Sequence, residues 1–423
     1  MIGIQLVILG KLLYSLFSCG LILFLTSYKS MISKWMESTQ SVHILFFITR
    51  ILVFIGVYII LHQEVRGDLP FFYSKASHAV KLELVYRDFL SFHAPLFSYL
   101  IALPLLLWHH PKSILLLMIL GEFLTLKITQ KLFDKWFNEA KANFLSCLYL
   151  LLPAPAIMLI FGGQEDIWLW GIFAWALYVY FPNKQWIKAG LILSLLLIAL
   201  KITAIFIFIP IFFSLNVKNK IRLLVVVGLP VLLVSGLFYY FSGPNFFMFI
   251  QHTKAPYSPN FLSITYPFFS SFYEQFNLTQ LNWAFLAFLF VCLIYLGFWA
   301  KNLPLEKVAP HLWIITFGLF NICLPASMIY YTYIYLIAIF FILVDTKNKK
   351  QLTLFLVFNL LIILQPYLYV TEGNTYNQDF SFFSQPLKFL EYIMEISLIG
   401  FVLSYCFQSL KEIKTLKEKS LNS

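Results

Sequence analysis

The residues best equipped for chemistry lie close together in one stretch, Arg66 to His110, which reads RGDLPFFYSKASHAVKLELVYRDFLSFHAPLFSYLIALPLLLWHH. It holds the acids Asp68, Glu83 and Asp88, the cations Arg66, Lys75, Lys81 and Arg87, the imidazoles of His78 and His93, and the phenols of Tyr73 and Tyr86. Acids and bases gathered in one polar loop suit proton transfer beside a developing negative charge. Three other places break an otherwise apolar chain. GGQED (Gly162 to Asp166) sets Glu165 and Asp166 between two apolar runs, and Lys201 divides ILSLLLIAL from ITAIFIFIPIFF. A long segment, 242–280, is rich in Pro, Phe and Tyr and carries His252 and Lys254. Such a loop is suited to lining or covering a site.

The elements that must position these groups are membrane helices. Of 423 residues, 61% are hydrophobic, 19% aromatic and 12% charged, against about a quarter charged in soluble domains. The pattern is that of a multi-pass membrane protein. No hydrophilic block is long enough to fold alone, so a single transmembrane unit over 1–423 is expected. The net charge of +11 falls in short clusters between apolar runs. That is the pattern of cytoplasmic loops meeting anionic lipid, and it argues against a nucleic-acid partner. Cys19, Cys147, Cys292, Cys323 and Cys406 sit inside apolar runs, without the pairing of a disulfide framework or a metal site.

The apolar runs predict an all-α bundle of about thirteen crossings. Pro95 to His110 is too short to cross and carries Pro104, so it reads as an interfacial helix of the first outer loop, 63–112. Lys127, Lys131, Lys135 and Lys141 then mark a cytoplasmic end. With that orientation GGQED, Lys201 and the second outer loop, 242–280, all face the non-cytoplasmic side. The plasma membrane of a bacterium is expected ahead of the endoplasmic reticulum.

Each polar feature also has a plainer role. Asp68 and Asp88 can pair with Arg66 and Arg87 as solvated loop charges. Glu165 and Asp166 can cap the helix that begins at Ile167. Lys201 can reach outward to lipid headgroups, and His93, just before Ala94 and Pro95, can be structural.

The order of these motifs resembles a known class. GDLPFFYSKA is followed by YRDFLSFHAPLFSYL, then by GGQED opening a span, then by KAGLILSLLLIALK ending in Lys201, with Pro210 beyond it. Over Asp68 to Phe213, about a third of the chain, it is similar to the GT-C glycosyltransferases that use polyprenyl- or dolichyl-phosphate sugars, the multi-spanning mannosyltransferases and their bacterial relatives. It departs from them at PASMIYYTYIY, where relatives often carry histidine. The resemblance implies an inverting sugar transfer, mannose or another hexose, from a lipid phosphate to a hydroxyl of a glycan, lipid or protein. By position Asp68 matches the loop acid, Asp166 the second acidic site and Lys201 the lysine closing its span.

On that basis Asp68 is the expected base. Arg87 and Lys201, with Lys254 and His252 from the later loop, are expected to meet the departing phosphate. Glu165 and Asp166 are expected to position the acceptor, and Asp88, His93 and Tyr86 are further candidates. No cofactor is expected. The alternative is a divalent cation held by Asp68, Glu165 and Asp166 through oxygen. Two other functions stay open: a polysaccharide polymerase or ligase, for which the later loop lacks arginines, and a lipid-linked oligosaccharide transporter or flippase, for which internal repeats are missing.

Overall fold

The computed structural model describes residues 2–27, 31–252, 257–372, 377 and 379–421. Among these the regular structure is helical and no strand forms, apart from an isolated bridge between Val85 and Phe89. In chain order the helices used below are α1 (Leu9–Ser27), α2 (Thr39–Ile60), α3 (Leu69–Val80), α4 (Phe97–Leu106) and α5 (Pro111–Asp134). Then come α6 (Glu139–Leu151), α7 (Pro153–Ile160), α8 (Ile167–Asn183), α9 (Trp186–Leu200), α10 (Ile202–Ser214) and α11 (Val217–Met248). The last are α12 (Phe261–Tyr273), α13 (Leu278–Trp299), α14 (Leu305–Cys323), α15 (Leu336–Ile342), α16 (Lys349–Glu372) and α17 (Pro386–Leu421).

Seven of them, α1, α2, α5, α11, α13, α16 and α17, are long and apolar enough to cross a membrane, and the bent pair α6 and α7 would make eight. These helices mark an integral membrane protein. The remaining runs read from the sequence as crossings are helical in α8, α9, α10, α14 and α15. They are shorter, or more polar, than a helix that qualifies by itself. Pro95 to His110 contributes only the short α4.

The described residues divide into two compact units. Hydropathy marks the helices but not which of them pack together, so this division was not visible in the chain. One unit comprises residues 24–205 and 217–252, the other 1–23, 206–216 and 253–423.

In the first unit α5 packs along α8, where Trp170 is fully buried and donates its indole N–H to Thr129 Oγ1 at 2.9 Å. An ion pair lies in this core. Arg50 on α2 meets Glu122 on α5 through Nε to Oε2 at 2.7 Å and Nη2 to Oε1 at 3.1 Å, with both side chains fully enclosed. Tyr149 donates its hydroxyl to Glu122 Oε1 at 3.2 Å. Between α6 and α7 the chain turns by 58° at Leu152, which has ψ 134°. Pro153 and Pro155 have no N–H to continue the helical ladder. Arg50 Nη1 donates to the carbonyl of Leu150, just before the turn, at 3.1 Å.

The second unit has its own buried polar cluster. On α17, Glu391 and Glu395 lie one helical turn apart. Gln365 donates to Glu391 Oε1 at 3.0 Å, and Ser263 Oγ donates to Glu395 Oε2 at 2.6 Å.

Candidate active site

Two glycine turns in the first unit bring the loop acid to the GGQED segment. Gly67 has φ +66° and Gly163 φ +64°, conformations that L side chains rarely adopt. A Cβ on Gly67 would lie 2.2 Å from the carbonyl oxygen of Gly162, and one on Gly163 would lie 2.4 Å from Leu69 Cγ. The turns therefore meet backbone to backbone at Gly67 and Gly162, while the Leu69 side chain packs on Gly163. Asp68 begins α3 but makes no capping bond with its side chain. Its Oδ2 instead accepts from Gln164 Nε2 at 2.9 Å.

A second join ties the first loop to the end of α9. The amides of Ala94 and Leu96 donate to the carbonyls of Leu200 and Ile198 at 3.0 and 2.8 Å. At Lys201 the backbone leaves the helix, with φ −138° and ψ 135°. There Lys201 Nζ reaches Asp166 Oδ1 at 2.5 Å and Glu165 Oε1 at 2.9 Å. Asp166 precedes α8 without a side-chain capping bond. The acids thus serve Lys201 and not the helix end, and Lys201 is paired instead of reaching for headgroups.

His93 completes the connection. Its Nε2 lies 3.1 Å from Glu165 Oε1 and its Nδ1 lies 3.2 Å from Lys75 Nζ. A lysine ammonium only donates, so the neutral ring carries its proton on Nε2 and gives it to Glu165. Hydrogen bonds then run from Lys75 to His93, from His93 to Glu165, and from Lys201 to both acids. The ring stacks on Phe97 at 4.1 Å, and its backbone carbonyl accepts from Tyr86 Oη at 2.5 Å. The edge of Phe246, from the second loop, meets Tyr86 at 5.4 Å.

Burial sets the electrostatics. It lifts the Asp68 carboxyl above its usual value, against the pull of the Gln164 hydrogen bond. Burial also drives His93 down to about 4, despite its bond to Glu165, so the ring is neutral near pH 7. Lys75 falls to about 7, chiefly through desolvation, with Glu165 opposing the fall. The two adjacent acids share one ammonium and separate. Burial, reinforced by Glu165, raises Asp166, whereas on Glu165 the raising effect of burial is outweighed by Lys201 and His93.

Three acceptor atoms in the cluster are buried without a donor among the described residues: Gln164 Oε1, Glu165 Oε2 and Asp166 Oδ2. Such atoms are costly unless something else donates to them.

The structure therefore brings together Asp68, His93, Glu165, Asp166 and Lys201. It does not bring Arg87 in. That guanidinium is exposed and bonds to its neighbour Asp88 at 2.8 and 2.9 Å. This pairing, with the Leu84 amide, lowers the Asp88 carboxyl to about 2. Arg87, expected to meet the phosphate, thus lies at the surface with Asp88 as its partner. His252 ends a 3-10 segment, Gly243–His252, and Lys254 lies outside the described residues.

Sequence reasoning missed Lys75 and Gln164 as members. On α3 the buried positions are Leu69, Phe72, Lys75, Ala76 and Ala79, so the lysine lies within an apolar stripe at helical spacing. That placement was the available signal. Among the described residues no three His, Cys, Asp or Glu side chains are placed to hold a metal ion. Glu165 and Asp166 each give one oxygen to Lys201 instead. The chain matches no family model, no curated protein and no solved structure.

Proposed function

We propose that the protein is an integral-membrane glycosyltransferase, moving a hexose such as mannose from a polyprenyl- or dolichyl-phosphate donor to a hydroxyl acceptor. The reading takes the thirteen apolar runs as crossings, with the basic ends in the cytoplasm and the site on the other side. One observation carries it. Asp68, half-buried and held by Gln164, stands in a network that includes three buried acceptor oxygens lacking donors. A sugar hydroxyl is a donor that such oxygens can take, and a carboxylate above its usual pKa is the base that such a hydroxyl needs.

In the reaction Asp68 accepts the proton of the acceptor hydroxyl as its oxygen attacks the anomeric carbon. The bond from that carbon to the phosphate oxygen breaks, and its electron pair leaves with the lipid phosphate. The anomeric configuration inverts. Glu165, Asp166 and Gln164 orient the acceptor through hydroxyls donated to their open oxygens.

The test is transfer by purified protein from a labelled polyprenyl-phosphate sugar to a mixed acceptor pool. Asp68→Asn should reduce turnover by about 10²–10⁴-fold. Undiminished transfer by that variant would remove Asp68 as the base, and no transfer by the wild type would remove the reading.

A further inference from the structure

The proposed chemistry makes no use of the carboxyl pair in the second unit. Glu391 and Glu395, one turn apart on α17, are 6% and 1% exposed. No Lys, Arg or His comes within ion-pair distance of either among the described residues. Two enclosed carboxylates at that spacing repel each other and lack the cation that normally accompanies buried charge. Yet the two groups are in hydrogen-bond contact with each other. An ionised carboxylate only accepts, so a bond between two carboxyls requires a proton on one of them.

The pair also reaches the start of α12. There Ser263 Oγ accepts the Asn260 amide and Asn260 Oδ1 accepts the Ser263 amide, each at 3.0 Å, a reciprocal helix cap. The Ser263 hydroxyl proton has two acceptors in reach, the Asn260 carbonyl at 2.9 Å and Glu395 Oε2 at 2.6 Å, and the carboxyl is the nearer. Glu391 Oε1 accepts from Gln365 Nε2 at 3.0 Å and from Ser258 Oγ at 3.4 Å. Both ends of the turn 258–263 are thus fastened to the two acids. Other titratable groups on the surrounding elements are engaged elsewhere or reach towards the surface. The Tyr392 hydroxyl donates to the Ile264 carbonyl at 2.7 Å, Tyr273 pairs with Thr265 at 2.9 Å, and Tyr266 stacks on Tyr273. Tyr367 of α16 meets Lys11 of α1, and Asp379 accepts the Ser381 amide at 2.8 Å. Tyr257 and Lys388 are half-buried and Glu274 is exposed.

We infer that Glu391 and Glu395 hold a single proton between them at neutral pH, and that this proton latches the start of α12 to α17. With it the pair carries one negative charge, met by Gln365, Ser258 and Ser263. Removing it sets two enclosed anions side by side. The relief is to part the turn 258–263 from α17 and admit water, which frees α12. The closed latch binds the proton more tightly than the open one, so its stability is present at neutral pH and is lost as pH rises. Since α12 belongs to the segment 242–280, alkaline release loosens part of that long loop. The latch does not depend on the transfer reaction.

Full-length protein in nanodiscs is compared with Glu395→Gln, whose amide can donate to Glu391 and accept from Ser263 without titrating. Infrared spectra of the wild type at neutral pH should contain the carbonyl stretch of a protonated carboxyl that the variant lacks, and this band should fade as pH rises. Amide hydrogen exchange over 261–273, read at matched pH, should be alike in the two proteins at neutral pH. On the alkaline side the wild type should outpace the variant by about tenfold more per pH unit. If melting shows that the variant does not fold, the wild type alone decides, because its extra alkaline exchange must be confined to 258–273 and absent from α5. A neutral-pH spectrum without the band, parallel exchange in wild type and folded variant, or an alkaline rise shared by α5 would overturn the inference.

Discussion

Gln164 donates its side-chain amide to Asp68 at 2.9 Å across 96 residues of sequence, and this bond ties the first loop to the GGQED segment. It also acts on the carboxyl chemically, holding its pKa below the value that burial would otherwise impose. Gln164→Leu should therefore raise the Asp68 pKa further. A base that works ionised then loses activity on the acid side, so the acid limb of the kcat/KM profile should move to higher pH. The lost bond to a charged group should lower kcat/KM by roughly 10- to 100-fold. An unmoved acid limb would separate Gln164 from the titration of Asp68.

His93 should make the fold sensitive to acid. Its pKa is depressed from 6.5 to about 4 in the folded protein, so the fold favours the neutral ring. The associated stability is complete above pH 6.5 and is lost as pH falls towards 4, because the unfolded chain takes up the proton first. His93→Phe keeps a ring against Phe97 but cannot titrate. Thermal melts should show the wild type losing more stability than this variant between pH 6.5 and 4. Parallel losses would mean that other groups dominate.

Arg50 and Glu122 offer a test of stability. Replacing Arg50 by Met alone, or Glu122 by Leu alone, strands a buried charge and should cost about 3–5 kcal/mol. The double variant should recover most of the loss, since two apolar side chains leave no unpaired ion. A chemical-denaturation cycle over the four proteins measures this. Additive losses would show that the pair is not acting as a unit.

Gly67→Ala should separate alignment from folding. The new methyl meets the Gly162 carbonyl at a position with positive φ, so the two turns must part. A local cost of about 1–3 kcal/mol is expected, with transfer falling more steeply than the melting temperature. Activity that merely tracks stability would argue against a positioning role for this contact.

Much of this arrangement was legible in the chain because an ionisable residue between apolar runs is conspicuous. Asp68, Glu165, Asp166 and Lys201 stood out for that reason, and the structure gathers them. Lys75 did not stand out, because it sits among many loop cations and its enclosure depends on the face of α3 that is buried. Gln164 was hidden by its neutrality. Arg87 looked equivalent to Lys201 in sequence, yet Asp88 beside it satisfies it locally. Hydropathy likewise marked the apolar runs but not the bend between α6 and α7, nor the division into two units, since both depend on packing partners distant in sequence.

The bend at Leu152 reaches beyond its own neighbourhood. Prolines interrupt α6 and α7 there, and Arg50 fastens the carbonyl of Leu150 just ahead of the interruption. The outgoing direction of α7 fixes where Gly162 to Asp166 emerge, so an internal brace governs the aim of side chains more than a helix away. Natural variation at Pro153 or Pro155 would be felt first as misaligned acids in a chain that still reaches its membrane.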